Sequence, residues 1–290
     1  MNAENYINMT DGRRLCYAEF GRPDGFPVFY FHGSPSSRLE PLLIGDEVLT
    51  AEGLRVISPD RPGIGRSDPQ PGRGFSDWPK DVIEMADALR IDQFSILGYS
   101  GGAGYAAVCA ARISQRLHSV VIVSGGWRMD VPEVKSNQPL PFRIFFTMAK
   151  RAPFLLRLML RMMKGSGEVD EQKELRQLKQ RVPPADFAAF SRPGRVTALH
   201  EAIREGMYQG TEGISWDLQL YVRAFDFSLD EVRMPLTFFH GAQDANFPLP
   251  AIRQVVSGVP GAELIIYEDE AHFSTLCNHF PEITSALVKR

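Results

Sequence analysis

The chain has 290 residues, 44% hydrophobic and 23% charged, which is enough apolar content for a large packed core and gives no reason to expect long disordered stretches. With 32 Lys and Arg against 35 Asp and Glu, the formal net charge is -3, so the basic excess that draws proteins onto phosphate backbones is absent and nucleic acid is not an expected partner. No uninterrupted apolar stretch reaches the roughly 18 residues a membrane span needs, and Cys16, Cys109 and Cys277 are odd in number, far apart and in no metal-ligand spacing.

Reduced thiols fit a cytosolic setting, and residues 1–5 lack the basic region and apolar run of a secretory leader, so a cytoplasmic protein is expected. From the N-terminus, 14–20 before Gly21 reads as an antiparallel strand at one sheet edge. The runs 27–31, 54–58, 94–97, 119–123, 236–239 and 264–267 are short, apolar and rich in β-branched or aromatic residues, which marks buried strands. Helix-like stretches at 78–89, 102–113 and 251–256 alternate with them, and that alternation implies a mostly parallel central sheet flanked by helices on both faces, an α/β class. The last segment, 274–289, reads as a closing helix that Pro281 starts or interrupts.

The alternation stops after Gly126 and resumes near Pro235, so residues 127–234 are expected to form an inserted helical cap on a core made of 1–126 and 235–290. Its first part, 141–164, is apolar and aromatic, and Lys150, Arg157, Arg161 and Lys164 recur so as to share one helical face, with Pro153 dividing the stretch. Such a helix packs within its own subdomain or touches lipid or another chain. The following stretch, 168–181, is almost wholly polar and reads as a solvated helix or connector.

Gly98-Tyr99-Ser100-Gly101-Gly102 joins the strand at 94–97 to the alanine-rich helix that follows. A serine hydroxyl is a poor nucleophile at neutral pH, and a sharp strand-to-helix turn lifts it to where a base can reach it. Gly98 and Gly102 permit the close approach such a turn needs, and Gly101 can present its N–H to a developing oxyanion. Five residues of this kind also occur as a plain glycine-rich turn, and it is the strand before and the helix after that favour catalysis.

With this block in place, the sequence resembles the α/β-hydrolase superfamily over nearly its whole length, in the branch of capped serine esterases and proline iminopeptidases. His32-Gly33-Ser34-Pro35 after the strand at 27–31 is similar to the family's HG-x-P loop, and the resemblance implies that Ser34 lends its N–H to the oxyanion hole beside Gly101. Asp60-Arg61-Pro62-Gly63-Ile64-Gly65-Arg66-Ser67-Asp68 looks like a structural turn of the same family, and its glycine spacing is not that of a phosphate loop. In this fold an acid and then a histidine follow the serine, each after a late strand. Of the six histidines, only His272 stands in the loop after the last predicted strand, and His32 is read as structural. Asp244, after the strand at 236–239, is where the family places its carboxylate; Asp130 is the alternative, because some members carry the acid there.

The resemblance implies a serine hydrolase that cleaves a carboxylic ester of a small or medium apolar acid through an acyl-enzyme, with no metal or organic cofactor. Tyr99, Trp127, Phe145, Phe146, Phe247 and Phe273 are the expected pocket residues by position. A serine nucleophile argues against dehalogenase and epoxide-hydrolase chemistry, whereas proline iminopeptidase, carbon–carbon hydrolase and perhydrolase activities, or a non-catalytic ligand receptor on the same fold, remain alternatives.

Overall fold

All six apolar runs form strands in the computed structural model, which describes residues 2–164 and 169–289. Among those residues one eight-stranded sheet contains β1 (Asn2–Asn8), β2 (Arg14–Gly21), β3 (Phe26–Phe31), β4 (Leu54–Pro59), β5 (Phe94–Tyr99), β6 (Leu117–Val123), β7 (Leu236–Gly241) and β8 (Glu263–Tyr267). The order across the sheet is β1-β2-β4-β3-β5-β6-β7-β8, with β2 antiparallel to both of its neighbours, β1 and β4, and the six strands β3 to β8 mutually parallel.

Strand periodicity explains the two layers of the core. Phe29, Ile57, Ile96, Ile122 and Phe238 point to one face, where α2 (Trp78–Ala88), α3 (Ala103–Arg112) and α11 (Leu249–Val256) cover them. Val28, Val56, Leu97, Val121 and Phe239 point to the other, under α1 (Asp46–Ala51), α12 (Ser274–Asn278) and α13 (Phe280–Val288). Both faces are buried, so the central strands read as continuous apolar runs rather than as alternation. Pro281 stands in the first turn of α13, where its missing N–H costs nothing, so it starts that helix.

β2, expected at the sheet edge, is not the edge strand. β1 lies outside it, with Tyr6 opposite Cys16 and Asn8 opposite Arg14, joined through a turn in which Gly12 has φ 89°. Asn2, Glu4 and Asn8 deny β1 an apolar pattern; only Ile7 is buried, and backbone pairing carries the strand.

Between β6 and β7 the described residues form no strand. They form α4 (Pro132–Ser136), α5 (Leu140–Arg151), α6 (Pro153–Met163), α7 (Glu171–Leu178), α8 (Pro184–Phe190), α9 (Arg195–Gly206) and α10 (Glu212–Leu220). Pro153 occupies the first turn of α6 and separates it from α5. In the polar stretch, Glu168 lies outside the described residues; Asp170 caps α7 by accepting the Lys173 N–H at 3.0 Å, and Leu175 and Leu178 pack against a small apolar cluster, so this helix is anchored. None of the helices described is long and apolar enough to cross a membrane.

A buried charge cluster fixes α10 to the core. Asp217 accepts from Arg61 at 2.7 Å, from the Tyr105 hydroxyl at 2.7 Å and from Arg73. Burial alone would lift its pKa, but the two guanidinium groups outweigh that and hold it at about 2. Because the folded value lies below the unfolded one, this carboxylate contributes stability above the ordinary Asp range, and the contribution is lost as pH falls toward 2. Asp217→Ala would leave two buried cations unpaired and is expected to cost about 3–5 kcal/mol in urea unfolding at neutral pH. A change under about 1 kcal/mol would show that water reaches the cluster.

Candidate functional site

The parallel strands share a register, Tyr30 opposite Leu97, Tyr99 opposite Val123 and Gly241 opposite Tyr267, so the loops at their carboxyl ends meet. Ser100 leaves β5 at φ 49°, a conformation that costs a non-glycine residue about 1–3 kcal/mol, and enters a turn of 3₁₀ helix that runs into α3. A Cβ on Gly98 would stand 2.9 Å from the Ala106 Cβ, and one on Gly102 would overlap the Phe31 carbonyl. Glycine at both positions lets strand and helix close around the serine.

The Ser100 hydroxyl lies 3.1 Å from His272 Nε2, and His272 Nδ1 lies 2.8 Å from Asp244 Oδ2. With Nδ1–H donating to the carboxylate, the Nε2 lone pair faces the hydroxyl, the arrangement in which an imidazole can take its proton. Asp244 is buried, and its other oxygen accepts the N–H groups of Asn246 and Phe247, each at 2.8 Å. Asp130 instead pairs with Arg128 at 2.9 Å. Burial pulls the His272 pKa down, but the charge and hydrogen bond of Asp244 outweigh it, and the net displacement is upward.

Ser34 and Gly101 are neighbours, since a Cβ on Gly101 would sit 3.1 Å from the Ser34 nitrogen. Their loops are braced from beneath by groups that sequence reasoning either missed or read only as a turn. Arg61 donates to the carbonyls of His32 at 2.6 Å and Gly33 at 3.0 Å, Glu40 accepts the Gly33 N–H at 2.7 Å, and the Tyr221 hydroxyl donates to the Gly101 carbonyl. His32 is fully buried, with Nδ1 2.8 Å from the Gly33 carbonyl oxygen, and burial holds its pKa well below the ordinary value.

The His272 loop is fastened in the same way. Its carbonyl accepts from the Ser124 hydroxyl at 2.8 Å, and Asp186 of α8 accepts the N–H groups of Phe273 at 2.9 Å and Ser274 at 2.8 Å. Nothing local in the sequence marks Asp186, whose partners are some ninety positions away; it reads only as an acid in the first turn of a helix after two prolines.

A cavity of about 820 Å³ opens over Ser100 and His272. Ser34, Gly101, Tyr99, Phe145, Phe146, Phe247 and Phe273 line it, as do Met148, Met159 and Leu218 of the inserted helices. Trp127 does not: it is fully buried, with its ring 6.3 Å from that of Phe238 and 6.5 Å from that of Phe225. The chain turns inward after Gly126, which places Trp127 in the core beneath the cavity wall. Glu40 and Asp186 reach the wall, but each is already engaged by backbone N–H groups. Among the described residues no group of three or more His, Cys, Asp or Glu is placed to hold a metal ion.

The family model described as alpha/beta hydrolase fold matches residues 27–277. The chain is 28% identical over 251 residues to a non-heme chloroperoxidase of Streptomyces lividans, covering 83% of each chain. It is 25% identical over 272 residues to a bifunctional esterase/perhydrolase of Acinetobacter calcoaceticus, covering 90% of this chain and 87% of that one. The crystal structure of an esterase from Rhodococcus sp. ECU1013 superposes with a TM-score of 0.68 at 18% identity, over 98% of this chain and 99% of that one.

Proposed function

The chain belongs to the alpha/beta hydrolase fold family, and from that premise we propose that it is a serine hydrolase cleaving carboxylic esters of small to medium apolar acids. The observation that carries the reading is the relay from the Ser100 hydroxyl through His272 to Asp244, 3.1 Å and 2.8 Å long, at the floor of an apolar cavity.

Ser100 Oγ attacks the ester carbonyl while His272 Nε2 takes its proton, and Asp244 steadies the imidazolium. The N–H groups of Ser34 and Gly101 hold the oxyanion, a donor of this kind being worth about 3 kcal/mol. His272 returns the proton to the departing alcohol, leaving an acyl group on Ser100. It then takes a proton from water, whose oxygen attacks the acyl carbon, and the acid leaves as Ser100 is reprotonated. Residues 127–234 act as the cap, since α5, α6, α8 and α10 supply the wall that meets the acyl chain. Capture of a substrate amine, as a proline iminopeptidase reading requires, is disfavoured because backbone N–H groups already take one oxygen of each wall carboxylate and burial pushes the pKa of both Glu40 and Asp186 up, against the charged form that an ammonium needs.

The pH dependence tests this. His272 must be neutral to act as base, and its pKa is raised. Activity on p-nitrophenyl esters is therefore expected to climb with pH, with the acid limb of kcat/KM above the ordinary imidazole value of about 6.5. An acid limb at or below that value, or turnover that falls between about pH 6 and 8, would contradict the assignment.

A further inference from the structure

The outward side of α5 and α6 is unusual for a chain of net charge -3. Between Glu133 and Glu168 the sequence has no acidic residue, yet it carries Lys135, Arg143, Lys150, Arg151, Arg157, Arg161 and Lys164. On α6, Phe154, Leu158 and Met162 follow one another at intervals of four, so they form a single stripe, and they are 63%, 55% and 70% exposed. Leu155 on α6 and Leu140 and Ile144 on α5 are exposed as well. Contiguous apolar surface of this kind on a water-facing helix marks a contact surface.

Charge and position decide what the contact is. Arg143, Lys150 and Arg151 are exposed and have no acidic partner among the described residues, and Arg161 reaches only the exposed Glu212, at 3.5 Å. Two copies of such a face would set cation against cation, which argues against self-association. Apolar side chains flanked by unpaired cations match the boundary of a bilayer that bears negative headgroups, where the chains enter the acyl region and the cations meet phosphate. Leu140, Ile144 and Met163 are exposed and also line the cavity over Ser100, so the cavity opens at this same surface.

We propose that the outward face of α5 and α6 docks on an anionic lipid bilayer, with Phe154, Leu158 and Met162 passing the headgroups to reach the edge of the acyl region. Docking turns the cavity mouth toward the lipid. The test is co-sedimentation of the full chain with phosphatidylcholine vesicles made with and without phosphatidylglycerol. Binding to the anionic vesicles is expected to be tighter by roughly tenfold or more and to weaken as salt is added. The combined variant Phe154→Ser, Leu158→Ser, Met162→Ser is expected to lose binding, and Arg151→Glu with Arg161→Glu to weaken it. Both should keep wild-type turnover of a short, water-soluble ester. The proposal is overturned if the wild type pellets with neither vesicle, if the serine variant pellets as well as wild type, or if ultracentrifugation shows a dimer that the serine substitutions dissociate. Ser100→Ala should pellet like wild type, so failure of the hydrolase reading would leave this result standing.

Discussion

Replacing Ser100 by alanine is expected to lower ester turnover by roughly four to six powers of ten, about 5–8 kcal/mol of transition-state stabilisation. The substitution removes a single oxygen. Its neighbours keep their places, because the Ser100 carbonyl still accepts the Gly126 N–H at 3.0 Å and Gly98 and Gly102 still allow the close approach of β5 and α3. Thermal unfolding should therefore change little while activity disappears. Residual activity should come from the Ser34 and Gly101 donors and the cavity alone, which can favour attack by water without a covalent intermediate. A variant with more than a hundredth of wild-type activity, measured in protein free of wild-type contamination, would mean that another group is the nucleophile.

The second large effect separates two acids. Asp244→Asn keeps an oxygen for the N–H groups of Asn246 and Phe247, so the loop after β7 should hold its shape. With its oxygen on those two N–H groups, the amide turns its NH2 toward His272 Nδ1, a donor where the carboxylate accepts, and so favours the wrong tautomer, with the proton on Nε2. A loss of roughly 10⁴ in kcat is expected. Asp130→Asn breaks only the exchange with Arg128 and should leave turnover unchanged. If the two variants behave in the opposite way, the acid has been misassigned and the 2.8 Å contact to Asp244 is structural.

What the sequence displayed of this fold was governed by burial. Strands covered on both faces, such as Phe94–Tyr99 and Leu117–Val123, have little choice but apolar residues and are visible as runs. β1 is an edge strand held by backbone pairing, so Asn2, Glu4 and Asn8 satisfy it and no pattern announces it. The candidate triad was legible because a strained turn needs small neighbours on both sides of Ser100, and because the fold fixes the order in which acid and histidine follow. The braces were not. Glu40 and Asp186 meet backbone groups 7 and 87–88 positions away, and Arg61 meets them 28–29 positions away; no local signature encodes such contacts. Trp127 shows the limit of reading a pocket from position: a large aromatic just past a strand end fills whichever space is nearest, and here that is the core.

Covalent capture of the nucleophile tests the central assignment most directly. Incubation with a fluorophosphonate, followed by intact-mass measurement and peptide mapping, is expected to show one adduct, carried by Ser100. The same treatment of His272→Ala should leave the serine almost unlabelled, because the hydroxyl then has no base to take its proton. An adduct on another residue, or an active enzyme that takes no label, would contradict the account.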